Sequence, residues 1–352
     1  MIETSPQLID FLELIRRAGS PPVCAVDTEA DSLHRYQESL CLVQMSAGGH
    51  DVLIDPLAIK DLSPLGEFLS GATVWMHGAD YDMTMLKREF GSVPAVVYDT
   101  QIGARLLGAR RFGLGDLVEQ YFGVTLSKSS QKADWGKRPL SDKMVEYALN
   151  DVHYLLEMGG MIVGRLRDLG RYEWFVESCD AARQKVLERN QSAEDAWRIQ
   201  GSGKLTRRGL AFLKELWQWR DDEARGWDRP TFMVIPNRVL LEWCEHLAQG
   251  GKVALPKHYR PDRVRRFHLA REAAAALEED QCPAKIKTPR TKRAGDFDQK
   301  LERFIKARDK AAASLDIEGS LIAPRAALEA IAGGQAEPAE LLLKWQLGCL
   351  EL

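Results

Sequence analysis

The feature that most constrains this chain is a change of period within its first hundred residues. Three short apolar runs, PPVCAVDTEA, SLCLVQMSA and HDVLIDP, follow one another, each combining β-branched residues with turn-forming flanks. They read as three successive strands joined by short, hairpin-like connections. A helical pattern then runs from about Leu57 to Leu69, followed by a strand TVWMHG, a helix from about Tyr81 to Phe90 and a strand AVVYDT. Three strands followed by alternating helix and strand imply an α/β fold, a mixed β-sheet flanked by helices.

From Gln101 onward the pattern is helical, and a long helix is expected from about Ser141 to Leu169, opened by a serine cap with an acid in its first turn. The texture breaks near Gly201, in IQGSGKLTRRG. Residues 203–280 then read as a separate helical module, and CPAKIKTPRTKRAGD as a basic linker over 281–296. A third helical segment, 297–352, has the look of a diverged copy of that module. The first domain is therefore expected over 1–195, and a length of 352 residues suits two or three domains.

Lysine and arginine number 48 against 51 aspartates and glutamates, so a net charge of −3 excludes a uniformly basic nucleic-acid coat and leaves room for local basic patches. The six cysteines form no C-x-x-C pair and are scattered along the chain, which argues against a zinc site or a disulfide framework and fits the reducing cytoplasm. The amino-terminal stretch carries acids early and has no long apolar run, as expected of a chain without a leader or anchor. No later stretch reaches the roughly 20 apolar residues of a membrane span, so no membrane association is expected.

Chemistry concentrates in three places. In VCAVDTEA, Asp27 and Glu29 are two apart at the end of an apolar strand, where the alternation of side chains points both carboxylates to one face. Such a pair resists ionising together, and a divalent cation is a common compensation. Composition alone supplies about seven acid-x-acid pairs in a chain like this, so a solvated strand end is the competing reading. In WMHGADYDMTML, Asp80 and Asp82 sit where a strand gives way to a helix, where acids also serve as caps and dipole partners. In MVEYALNDVHYLL, Tyr147 and Asp151 are four apart on one helical face, a spacing that core packing of the tyrosine would equally explain.

Taken in order, D-T-E on a first strand, Y-D after a later strand and Y-x-x-x-D on a closing helix resemble the three motifs of the DEDD exonuclease superfamily, in its tyrosine-bearing branch. YDTQIGARLL, DWGKRPLS and YALNDVHYLLEM are similar to segments of the ribonuclease D family, a likeness that covers about residues 1–195. LKELWQWRDDEAR, the following RP and the later VLLEW resemble the HRDC domain of ribonuclease D and RecQ-type helicases, and LIAPRAALEAI with LLLKWQL looks like a shortened second copy.

The resemblance implies a ribonuclease H-like sheet followed by one or two all-α HRDC domains. It also implies that Asp27, Glu29, Asp82 and Asp151 ligate metal and that Tyr147 stands beside the attacking water. Asp80 competes with Asp82; Asp82 is favoured because it follows the aromatic Tyr81, as the motif requires. Four carboxylates and no histidine or cysteine ligand suit two magnesium or manganese ions rather than zinc. His77, neutral near pH 7, is expected to touch substrate or to pack rather than to bind metal.

Thr28, His77, Lys132 and Arg138 are the expected nucleic-acid contacts. The polar segment LSKSSQKADWGKRPLS is either the mouth of the site or a mobile surface loop. Basic runs at 257–271 and 285–310, with net charges of +5 and +6, are either RNA-binding patches or solvated faces. Near the first run, Tyr259 and Phe267 are expected to fill helical core rather than to stack on bases.

The leading reading is a metal-dependent 3′–5′ exoribonuclease that trims structured RNA precursors such as transfer RNA, acting as a monomer with no obligate protein partner. A DNA exonuclease, or an inactive nucleic-acid-binding protein, are the alternatives; the complete set of four acids and a tyrosine argues against the latter.

Overall fold

The computed structural model describes residues 1–189, 195–286 and 295–350. The chain divides into two units, Met1–Ala30 with Leu40–Arg189 and Thr291–Leu352, and Asp31–Ser39 with Asn190–Arg290.

The first unit is built on a sheet. Strands β1 (Val23–Ala30), β2 (Leu40–Ala47), β3 (His50–Ile54), β4 (Thr73–Met76) and β5 (Val96–Asp99) are ordered β3-β2-β1-β4-β5. β1–β2 and β2–β3 pair antiparallel, and β1–β4 and β4–β5 pair parallel. The mixed sheet read from the sequence is thus present. Gly48 and Gly49, both at positive φ (58° and 80°), make the two-residue turn between β2 and β3, a conformation that side chains with a Cβ rarely adopt. All eight residues of β2 are buried, because helices cover both faces of the sheet.

Helices α1 (Ser5–Ala18), α2 (Ser63–Gly71), α3 (Asp80–Phe90), α4 (Thr100–Leu106), α5 (Leu114–Phe122), α6 (Asp142–His153), α7 (Leu155–Asp168) and α8 (Tyr172–Glu188) surround it. α1 was not foreseen. Its Thr4–Gln7 capping box starts a helix that buries Leu8, Phe11, Leu12 and Ile15 against the sheet. The helix expected from about Ser141 to Leu169 is two helices. Ser141 does cap the first, accepting from the Met144 amide, but the chain breaks at Tyr154, whose ring packs 5.0 Å from Phe122. The apolar pattern hides this break, since α7 buries Leu155, Met158, Ile162 and Leu166 in unbroken helical spacing.

The segment expected as a third helical domain packs within the first unit. α13 (Phe297–Leu315), α14 (Gly319–Ile322), α15 (Arg325–Ala332), α16 (Pro338–Leu341) and α17 (Lys344–Gly348) bury Phe304, Ile322, Leu328 and Trp345 in the same core as Trp75, Ile162 and Phe175. Trp345 stacks on Trp174 with ring centroids 5.0 Å apart, and Arg171 donates to the Leu315 and Leu106 carbonyls.

The second unit is helical. α9 (Arg207–Trp227), capped by Thr206, packs against α11 (Asn237–Ala248) and α12 (Pro261–Ala276), with the short α10 (Thr231–Val234) between. Trp219, Phe267, Leu213 and Leu240 are at its core, with Tyr259 also buried, so both aromatics of the first basic run do fill core. That run is partly paired: Arg263 and Arg266 both bond Glu223, Arg265 lies 3.4 Å from Asp262 and Arg271 bonds Glu272, three acids against six cations. Much of the second basic run, 287–294, falls outside the described residues.

Candidate active site

Three stretches of chain carry the acids to one place. β1 is apolar up to Val26 and buried on both sides, so its end presents Asp27 and Glu29 on one face, as period two demands. α6 lies across β1, β2 and β3 and brings Asp151 down onto the same spot. Carboxylate oxygens of Asp27, Glu29 and Asp151 all lie within 4.8 Å of one another.

Asp82 comes from the first turn of α3. The turn before that helix is held by Asp99, which accepts from the Gly78 and Ala79 amides, each at 2.9 Å, and also from the Gln101 amide at 2.8 Å. Asp82 itself accepts from the Thr28 amide at 3.0 Å and from the Thr28 hydroxyl at 2.6 Å. That double grip holds it beside the group of three without bringing it inside their 4.8 Å circle. Asp80, its rival, is exposed and ion-paired with Arg189 at 2.7 Å.

The electrostatics show how costly this gathering is. Burial, then the charges of Asp82, Asp151 and Glu29, raises the Asp27 carboxyl well above its ordinary value. Burial, then Asp151 and Asp82, pushes Glu29 up to about 9. Burial is the main cause for Asp151, at about 7, and for Asp82, at about 6; hydrogen bonds from Tyr147 and Thr28 respectively act in the opposite direction. A set of partly buried carboxylate oxygens that resists its own charge fits a divalent cation of the hard, oxygen-seeking kind, which would restore the ionised form.

Tyr147, one turn before Asp151, donates its hydroxyl to that carboxylate. Burial and the surrounding acids hold its phenol far above the ordinary value near 10, so it stays protonated at any physiological pH. Its ring packs 6.0 Å from Trp135, which is 1% exposed.

The expected nucleic-acid contacts divide. Lys132 is exposed and, among the described residues, in no ion pair. Thr28 is buried and commits both its donors to Asp82. His77 is held inside by Thr100, with ring nitrogen and hydroxyl 2.9 Å apart, and burial lowers its pKa. Arg138 needs a correction. Its Nε and Nη2 clasp the Asp55 carboxylate at 2.6 and 2.7 Å, Nη1 donates to the Trp135 and Lys137 carbonyls, and Nη2 also donates to the Cys41 carbonyl. All five N–H donors are spent within the protein, so none is left for a phosphate. With Trp135 buried, the same clasp anchors the later part of the segment expected either to line the site or to move.

Sequence reasoning missed Asp55 and Asp99. Each is an acid at a strand end, and nothing in the local pattern separates such a fastening from a solvated one.

Acids from three separate stretches thus converge on a mixed sheet with a protonated phenol beside them, and likeness to known proteins gives the class, a 3′–5′ exonuclease. The 3′–5′ exonuclease domain family matches residues 1–167, and the HRDC domain family matches residues 209–250. The chain is 35% identical over 241 residues to ribonuclease D of Escherichia coli (strain K12), an alignment covering 67% of this chain and 63%, just under two thirds, of that relative. It is 31% identical over 253 residues to ribonuclease D of Cronobacter turicensis, covering 70% and 67%. The crystal structure of Escherichia coli RNase D, described as an exoribonuclease involved in structured RNA processing, superposes with a TM-score of 0.75 at 27% identity, over 99% of this chain and 97% of that one. The chain belongs to the ribonuclease D family of 3′–5′ exoribonucleases. Among the described residues no helix is long and apolar enough to cross a membrane.

Proposed function

We propose that this chain trims the 3′ ends of structured RNA precursors, transfer RNA among them, by hydrolysis that releases nucleoside 5′-monophosphates. Asp27, Glu29, Asp82 and Asp151 would hold two magnesium or manganese ions. The observation that carries the reading is the approach of the Asp27, Glu29 and Asp151 oxygens within 4.8 Å in a setting that raises the pKa of each. When bound, the ions supply charge stabilisation for the attacking and leaving oxygens and acidify the attacking water.

The chain's own residues do the rest. Thr28 fixes the rotamer of Asp82 through two hydrogen bonds. Tyr147, kept as a phenol, holds and orients the water as a hydrogen-bond partner and is unsuited to removing its proton. Lys132, exposed in the segment before α6, would contact phosphate, and such a contact would make affinity fall with salt. The choice of RNA rests on the family, and that of structured precursors on the Escherichia coli relative. The HRDC domain is the further surface for holding RNA. A monomer working in the cytoplasm completes the reading, and six cysteine thiols, all unbridged, suit that compartment.

The test is degradation of 5′-labelled RNA and DNA of matched sequence by the full chain, with and without EDTA. RNA shortened stepwise from the 3′ end, with EDTA abolishing it, is the expected result. Cleavage that survives EDTA, or that prefers DNA, overturns the proposal.

A further inference from the structure

Among the described residues Gln44 is the one fully buried glutamine, at 0% exposure, and neither its amide nitrogen nor its amide oxygen has a partner there. An amide so placed costs stability unless something answers it, and typical costs run about 1–3 kcal/mol for each unmet group. Its address is informative. In the antiparallel β1–β2 pair, Gln44 stands directly opposite Asp27. Side chains of residues so paired project on the same face with Cβ atoms roughly 5 Å apart. This is the face on which α6 lies, and on which Asp151 meets Asp27.

Asp27 presents the complementary deficit. No hydrogen-bond donor to its carboxylate is found among the described residues. Thr28 serves Asp82, and Tyr147 serves Asp151. Asp27 and Glu29 are the two acids without an identified donor, and of these it is Asp27 that has the unpartnered amide as its cross-strand neighbour; Glu29 faces Leu42.

We infer that Gln44 is a positioning residue for the metal centre: its amide, unpartnered here and directly opposite Asp27, would turn its N–H onto the carboxylate oxygen directed away from bound ions and so fix which oxygen faces them. Outer partners of this kind orient ligating carboxylates, and their loss commonly costs 10–100-fold in metal affinity. The inference rests on the proposed reading of the acids as metal ligands. It explains why a polar side chain occupies a strand otherwise buried among apolar neighbours: a leucine there would pack as well and leave Asp27 free to rotate.

Gln44→Leu and Gln44→Met, which remove the donor and keep the bulk, are compared with wild type and Asp27→Asn in the full chain. Two quantities are read: Mn2+ affinity by calorimetry without RNA, and the melting temperature of the metal-free protein. Both Gln44 variants should bind Mn2+ at least tenfold more weakly while melting, metal-free, within about 2 °C of wild type or above it. Wild-type Mn2+ affinity in either folded variant overturns the inference, as does a fall in metal-free melting in both, which assigns Gln44 to packing alone. The underlying reading fails in a distinguishable way: wild type and Asp27→Asn would then bind Mn2+ equally, or neither would bind it.

Discussion

Replacing Asp151 with asparagine separates what this residue does for metal from what it does to the fold. Without metal, the rise of its carboxyl from an ordinary 3.8 to about 7 means that the ionised form is held in place at a cost of about 4 kcal/mol. Neighbouring acids share that proton, so the uncharged amide should recover about half, about 2 kcal/mol. The new side chain would keep an oxygen for the Tyr147 hydroxyl, which limits the loss on the other side. In a unit of this size such a gain raises the melting temperature by about 4–8 °C. Melting curves in EDTA at pH 8 should therefore place Asp151→Asn above wild type. Millimolar Mn2+ should reverse the order, because binding to the native state stabilises wild type alone, and turnover of RNA should be abolished in the variant. A variant less stable than wild type in EDTA, or stabilised equally by Mn2+, would refute the claim that Asp151 is strained by charge in order to bind cations.

Tyr147→Phe keeps the packing on Trp135 and loses the hydroxyl; kcat should fall about 100-fold or more with Mn2+ affinity within twofold of wild type, checked by single-turnover kinetics and calorimetry. Because Glu29 rises from 4.5 to about 9 on folding, the metal-free native state keeps a proton that the unfolded chain releases; its contribution to stability is complete below about pH 4.5 and is lost as pH climbs through about 9. Metal-free melting temperatures should thus be higher at pH 6 than at pH 9, and a flat profile in EDTA would remove this group from the balance. Arg138→Gln leaves the nearly buried Asp55 without its cation and should destabilise the fold by about 2–3 kcal/mol in urea titrations, with the salt dependence of RNA binding unchanged.

The parts of this protein legible in its sequence are those where one residue's neighbours in the chain decide its fate. The strand ending in Asp27 and Glu29, the cap at Ser141 and the pairing of Tyr147 with Asp151 depend on local period, and the structure has them at the expected positions. Asp82 could be separated from Asp80 only through a motif, yet in the structure the difference is plain: one carboxylate is buried on Thr28, the other exposed on Arg189. What stayed hidden depends on partners far along the chain. Arg138 looked like a free cation in a polar loop because its acid lies 83 residues away. Gln44 carries no local signal, because what sets it apart is the residue opposite it on the neighbouring strand. The break at Tyr154 was invisible because one interrupted residue leaves the apolar stripe in phase.

The first unit is written in the sequence in two instalments, with the HRDC region between them, and its second apolar core draws Phe304, Ile322, Leu328 and Trp345 from the later one. A ribosome therefore delivers all four clustered acids long before it delivers the residues that finish the hydrophobic packing behind them. Nascent chains must wait, with an oily surface uncovered, until α13–α17 emerge. A fragment cut near residue 200 is on this account an unfinished protein rather than a minimal nuclease, and it should reach for chaperones or aggregate.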